Sequence, residues 1–403
     1  MSQRVQIGIY SLFAQNAMRS SHHRLGGAEK RSLLFATMLA EEGVPTGILM
    51  ADPGRFGRLR QTKSGIVPLY HPKYRLRSHG IQIQKPVFRS SLSARLQDKI
   101  RSSVGLPIIN TPEKAKKAAF APFYKAGASL WVGLSLNDSM LELAEFCQEA
   151  GSTFLLGLAG NVDLDFIFEP NGRDMYGASR EKKRKAMELA SAVLVQNRFQ
   201  EKTLRHYFPQ KPIYALPNPI VVPKVFSEHP VRSGAIWIGK MDSNKNPKAL
   251  LRFAKKLPQL TISMVANPAE LELEQEVLQN MPPNIQVIRS VPYEETQALM
   301  AKAQVHLSTS FQEGFPNTIL EAAAAKTPTV SLHVDPDERM KEGLFGFCAN
   351  GDEDLFAEQV SLAMLRSQQV ESMMDASWNY VQENHAYERI KKRWIEIVKT
   401  LTQ

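Results

Sequence analysis

Two glutamates eight residues apart, Glu313 and Glu321, stand in the segment SFQEGFPNTILEAAAAKTP at positions 310–328. Gly314 permits a tight turn or a close backbone approach. Pro316 suits a first helical turn, where its missing N–H costs little. The pattern predicts a strand–turn–helix junction, with the amides of Thr318 and Ile319 free near the helix N-terminus to meet anionic oxygens. On that geometry Glu313 could accept hydrogen bonds from sugar hydroxyls, and Glu321, over a turn deeper, could reach a ribose diol. The alanine run 322–325 lets the helix approach its sheet closely. From the two glutamates alone, a helix cap with an alanine packing face accounts for the segment equally well.

A second stretch, WIGKMDSNKNP at 237–247, places Lys240 and Lys245 on a loop between a predicted strand and a predicted helix. Two cations there are well placed to neutralise a diphosphate; the alternative is a pair of solvated loop lysines. A third, Gly26-Gly27-Ala28-Glu29, opens the first predicted helix. A Gly-Gly pair before a helix is most often only a turn. His22, His23 and Arg24 just before it could line a cleft. Without HxxxH spacing or a carboxylate partner they do not suggest a metal site, and no metal ligand is expected.

These residues need elements to position them. Strands are expected at 5–10, 46–50, 130–134, 153–157 and 192–195, with helices at 28–42, 139–150 and 180–190 between them. The series restarts with strands at 235–238, 260–265, 285–289, 305–308 and 329–332, and helices at 248–256, 294–302 and 318–326, ending in a helix at 387–401. Alternation of this kind predicts parallel sheets covered by helices, an α/β architecture. The proline-heavy stretch LPNPIVVPKVFSEHP at 216–230 suits a linker between two doubly wound halves. Such halves hold a ligand between them, at the carboxyl ends of their strands. Residues 52–125, rich in Lys, Arg, Ser, Pro and Gly, break the pattern and are expected to form a mobile or loosely helical excursion.

A chain of 403 residues with 43% apolar and 22% charged content suits a globular protein of two or three domains. No apolar run reaches the roughly 18–20 residues that cross a bilayer. The N-terminus MSQRVQIGIYSLF is expected to be a strand, not a signal peptide. Cys147 and Cys348 stand far apart, which argues against disulfide or cysteine–zinc frameworks and suits a reducing cytosol. Net charge is +10 and uneven: residues 1–130 carry 21 Lys and Arg against 6 Asp and Glu, the remainder 29 against 34. An anionic membrane, an anionic acceptor, nucleic acid or a merely solvated basic face would each account for it. Within 73–125, Leu92, Leu96 and Ile100 recur at helical spacing beside Arg95, Lys99 and Arg101, a candidate amphipathic surface helix.

The segment Glu313-Gly314-Phe315-Pro316-Asn317, running through Leu320 to Glu321-Ala322, resembles the E-x7-E element of the retaining GT4 family of glycosyltransferases. The resemblance implies the GT-B fold: two Rossmann-like doubly wound domains facing a cleft, with a C-terminal helix, around Trp394, crossing back to the first. It implies an acceptor-side domain over 1–216, a nucleotide-sugar-binding domain over 217–384 and the crossing helix over 385–403. Glu313 would contact the donor sugar and Glu321 the ribose, while Lys245 matches the family lysine and Lys240 stands where arginine is usual. Gly26, Gly27, Gly314, Phe315, Asn317, Thr318 and Ile319 would complete the donor site, and Glu313, Lys245 and Lys240 the catalytic set. Many members place a histidine after the strand equivalent to 153–157; here the loop is LAGNVD, where Asn161 or Asp163 could bind a hydroxyl, or a plain turn could stand.

The implied activity is transfer of a sugar from a nucleotide-diphosphate donor, UDP more than GDP, to a glycan, lipid-linked or small-molecule acceptor, with retention and with neither metal nor cofactor. A cytoplasmic enzyme, peripheral on an anionic membrane through residues 73–125, would suit the charge. A nucleotide-sugar epimerase of the same fold would need a carboxylate–histidine apparatus. A nucleic-acid-binding protein would need interleaved aromatics, which the basic third lacks.

Overall fold

The computed structural model describes residues 4–12, 14, 27–53, 59, 65–77, 80–83, 120–221, 231–289 and 291–403. The expectations placed on His22, His23, Arg24 and Gly26, on the helix through Leu92, Leu96 and Ile100, and on most of the basic stretch 73–125 lie outside the described residues.

Strands β1 (Ile7–Tyr10), β2 (Thr46–Asp52), β3 (Val67–Arg77), β4 (Gly80–Ile83), β5 (Leu130–Gly133), β6 (Thr153–Gly157), β7 (Ala192–Val195) and β8 (Ile213–Ala215) form one sheet, in the order β4-β3-β2-β1-β5-β6-β7-β8. Every neighbouring pair is parallel except β3 with β4. Strands β9 (Ala235–Met241), β10 (Ile262–Pro268), β11 (Ile285–Ile288), β12 (Val305–Ser308), β13 (Thr329–Ser331) and β14 (Gly346–Cys348) form a second, wholly parallel sheet in the order β11-β10-β9-β12-β13-β14. Strands β1, β5 and β7, with sequences IGIY, LWVG and AVLV, are buried at every position. Such continuous apolar runs are what a sheet covered by helices on both faces requires.

The chain leaves β1 toward β2 on one side and returns to β5 on the other; β9 is flanked in the same way by β10 and β12. Reversals of this kind open a crevice at the carboxyl ends of the strands. The last helix, Tyr387–Thr402, crosses back to the first domain. Its Trp394 stacks on Phe35 with ring centroids 4.8 Å apart and donates from Nε1 to the Phe35 carbonyl at 3.1 Å.

Residues 52–125 differ from expectation. Their described part holds β3, β4 and a short helix, Ala121–Ala126. Strand β3 runs parallel to β2 as far as His71; the register then jumps, so that Asp52 pairs with Arg75, and β4 folds back against the end of β3. Pro68 and Pro72 hide this strand from pattern reading, because a proline cannot donate to a ladder and belongs at edges and irregularities. The start of the expected linker is fixed in place: Ile220 N–H donates to the His385 carbonyl at 2.8 Å, and Tyr387 N–H donates to the Ile220 carbonyl at 3.1 Å.

Candidate active site

Strand β9 ends in Gly239-Lys240-Met241, and the loop after it is built by its own polar side chains. Asp242 Oδ1 accepts from the Lys245 amide at 2.8 Å, and Asn246, at φ 49°, caps the helix Pro247–Lys256. Asn244 joins this loop to the one after β12: its Oδ1 accepts from Gln312 N–H at 3.1 Å and its Nδ2 donates to the Gln312 carbonyl at 2.9 Å. The Thr309 hydroxyl donates to the Lys245 carbonyl at 2.7 Å and accepts from Trp237 Nε1 at 2.9 Å. These hydrogen bonds tie the two loops together, and Lys245 Nζ stands 2.5 Å from Glu313 Oε1. Lys240 is exposed and borders the same cleft. Burial pushes the Asp242 carboxyl above its usual range, against the pull of the Lys245 amide and the two lysine charges.

The Glu313 loop is pinned by the first domain and by the segment that leaves it. A methyl added at Gly314 would stand 3.1 Å from Gly160 Cα and 3.2 Å from the Ala159 carbonyl oxygen. Asn197 Nδ2 donates to the Gly314 carbonyl at 2.9 Å, and Asn218 Nδ2 to the Phe315 carbonyl at 3.0 Å. Pro316 precedes the helix Asn317–Ala324, whose buried face carries Glu321. Glu321 receives Lys30 Nζ at 2.7 Å, an ion pair between the two domains. The same ammonium lies 3.5 Å from the centroid of the Tyr293 ring. Burial and the Glu321 charge raise the Tyr293 phenol far above its usual pKa.

On the first-domain side, Gly27 opens the helix Gly27–Glu41, and a methyl there would lie 3.4 Å from Asn317 Nδ2. Arg31, on the same helix, is buried. Its Nη1 donates to the Leu158 carbonyl at 2.7 Å, while Nε and Nη2 have no hydrogen-bond partner among the described residues. Burial lowers its pKa to about 9, with Asp163 pulling the other way. One cleft of about 750 Å³ is bordered by Gly27, Lys240, Lys245, Glu313, Asn317, Thr318 and Glu321. Among the described residues, no group of three or more His, Cys, Asp or Glu could hold a metal ion.

Three expectations need correction. The Ile319 amide is not free: it turns back to the Pro316 carbonyl at 3.2 Å, leaving Asn317 and Thr318 at the helix mouth. Phe315 borders the cleft, but the residue is only 4% exposed and packs among Ile319, Leu320, Phe345 and His385. Asp163 also borders the cleft, yet its Oδ2 accepts from the Ala159 and Gly160 amides at 2.6 and 3.4 Å, so it holds the loop and is not turned to a sugar. Burial lifts its pKa to about 6 against those hydrogen bonds. Asn161 Oδ1 likewise accepts from Asn197 Nδ2 and Gln200 Nε2 at 2.9 and 3.3 Å.

Sequence reasoning missed Lys30, Arg31, Tyr293 and Asn218. The position of Lys30 three residues past Gly27 was a usable signal; nothing local marked Tyr293.

Residues 232–365 match the family model described as Glycosyl transferases group 1. None of the curated proteins matches the chain in sequence. Among solved structures, the chain is similar to a sucrose-phosphate synthase from Thermosynechococcus elongatus, at TM-score 0.69 and 15% identity over 99% of both chains. It is also similar to HepE from Anabaena, solved with UDP-glucose, at TM-score 0.67 and 13% identity over 98% of this chain and 99% of that one. A glycosyltransferase from Rickettsia africae matches at TM-score 0.65 and 14% identity over the whole of both chains. The fold is therefore GT-B, and its second half, over residues 232–365, is similar to the glycosyl transferases group 1 family.

Proposed function

We propose that the protein is a glycosyltransferase that moves a sugar from a nucleotide-diphosphate donor to a glycan, lipid-linked or small-molecule acceptor, with retention and without a metal. The observation that carries this reading is the Lys245–Glu313 pair, at 2.5 Å, in a cleft that Lys240 and Glu321 also border. As the anomeric C–O bond breaks, negative charge gathers on the leaving diphosphate. Fixed cations and helix-terminal amides in a water-excluding cleft stabilise such charge best. Lys240, Lys245 and the start of the helix after Pro316 supply them, and Glu313 orients the sugar. The UDP-glucose of the HepE complex, and the UDP and GlcNAc of a pneumococcal transferase GtfA structure, favour a UDP donor over a GDP one.

No histidine borders the cleft among the described residues, so the carboxylate–histidine apparatus of an epimerase finds no support there. The excess charge of residues 1–130 supports an acceptor on an anionic, cytosolic membrane face, which the first domain would hold. Thermal shift with UDP-, GDP- and ADP-sugars beside a single-stranded oligonucleotide tests the reading. Stabilisation by one sugar nucleotide is expected; stabilisation by the oligonucleotide alone contradicts it.

A further inference from the structure

Lys30 belongs to the first domain and Glu321 to the second, yet they stand 2.7 Å apart. Among the described residues Lys30 is the one cation within salt-bridge distance of Glu321, whose side chain is 7% exposed. The functional reading above gives Glu321 to the ribose. A ribose diol and an ammonium therefore meet at the same carboxylate, whose Oε1 the ammonium holds.

The surroundings indicate where the ammonium goes if it yields. Lys30 lies in the first turn of the helix Gly27–Glu41, and the start of that helix meets the start of the helix Asn317–Ala324 across the cleft, with only 3.4 Å between a methyl at Gly27 and Asn317 Nδ2. Both helix starts carry partial positive charge, so the space they border favours an anion. Lys240 and Lys245 border it as well. Lysine presents a compact charge on a flexible four-carbon stem, free to change partner. The Tyr293 ring under the ammonium gives it an uncharged resting surface beside Glu321.

We propose that Lys30 is a transferable cation: ribose hydroxyls claiming Glu321 release its ammonium to the diphosphate, which is then held by charge from both domains. This rests on the transferase reading and deepens it. Closure of the first domain over the nucleotide would then depend on ribose and diphosphate together, not on either part alone. Charge neutralisation of the leaving group would come from three lysines, one of them supplied only by the closed cleft.

Calorimetry with uridine and with UDP separates the two halves of this role, on the wild-type chain and on Lys30→Met and Lys30→Arg. Loss of the ammonium should leave uridine affinity unchanged or raise it, because a competitor for Glu321 is gone. It should weaken UDP by about tenfold or more, the usual scale of a charge-assisted contact, and Lys30→Arg should recover most of that loss. Four results overturn the proposal: uridine and UDP both tighter in Lys30→Met, which makes Lys30 a mere plug; both weaker, which makes it a support for Glu321; both unchanged; or uridine alone weakened. A wild-type chain that binds none of UDP, GDP or ADP refutes the transferase reading itself. A chain that binds GDP or ADP instead is tested in the same way with guanosine or adenosine as the matching nucleoside.

Discussion

At the scale of single residues, the two glutamates differ in depth and partner. Glu313 is part-exposed and holds Lys245; Glu321 is buried and holds Lys30. Different consequences follow for isosteric neutralisation. Glu313→Gln should lower turnover more than it lowers affinity for free UDP, because on the proposed reading Glu313 contacts the sugar, and its loss leaves Lys245 free for phosphate. Glu321→Gln should lower affinity for free UDP, by about tenfold if one charged hydrogen bond to ribose is lost. Calorimetry with UDP beside initial rates with the intact donor decides; loss of free-UDP binding in the Glu313 variant alone reverses the two roles. Glycine, proline and strand-to-helix spacing put Lys245 and the glutamates on loops at helix starts, and the family resemblance supplied their expected roles. Lys30 was not legible from sequence: its partner lies 291 residues away, and only the packed cleft brings the two together.

At the scale of elements, the loop after β12 matters most, and its tight point is Gly314. A side chain there must push apart the backbones at Gly160 and Ala159 by a few tenths of an ångström, on the opposing domain. Gly314→Ala should raise the donor KM and cost about 1–3 kcal/mol of stability, the usual penalty for overpacking, measured by initial rates and chemical denaturation. Unchanged kinetics would show that the contact does not govern closure.

The segment joining the domains carries a second test. His385 is 1% exposed, and its Nδ1 lies 2.9 Å from the Asn218 carbonyl; burial lowers its pKa to about 4. The unfolded chain binds this proton near 6.5, so the contribution is complete above that pH and is lost as pH falls toward 4. At pH 5 the loss is about 2 kcal/mol. His385→Gln, which keeps a donor and cannot titrate, should shrink the fall in stability between pH 7 and 5 by about that amount; an unaltered pH profile would place the sensitivity elsewhere. Strands at sheet centres were legible as apolar runs, whereas β3 was not. Its stability comes from pairing with β2 and β4, and its prolines and basic residues argue locally against a strand.

At the scale of the whole molecule, two doubly wound sheets close on one cleft, and the helix Tyr387–Thr402 ties the second domain to the first. No helix among the described residues is long and apolar enough to cross a membrane. The charge of residues 73–125 would supply a reversible attachment in its place, at roughly 1 kcal/mol for each basic residue near an anionic surface. Co-sedimentation with anionic vesicles should be strong at low salt and fall at high salt, with little binding to neutral lipid. Equal binding to both lipids, or none to either, would leave a soluble acceptor as the better account.

The central claim is that this cleft splits a sugar from a nucleoside diphosphate through Lys245 and its neighbours. Its most direct measurement is release of nucleoside diphosphate from a panel of UDP-, GDP- and ADP-sugars in EDTA, for the wild-type chain and for Lys245→Ala of unchanged thermal stability. The account predicts that the wild-type chain consumes one donor class without added metal, and that Lys245→Ala loses at least about tenfold of that rate. Consumption of no donor, restoration only by Mg²⁺ or Mn²⁺, or equal rates in the two proteins would contradict it.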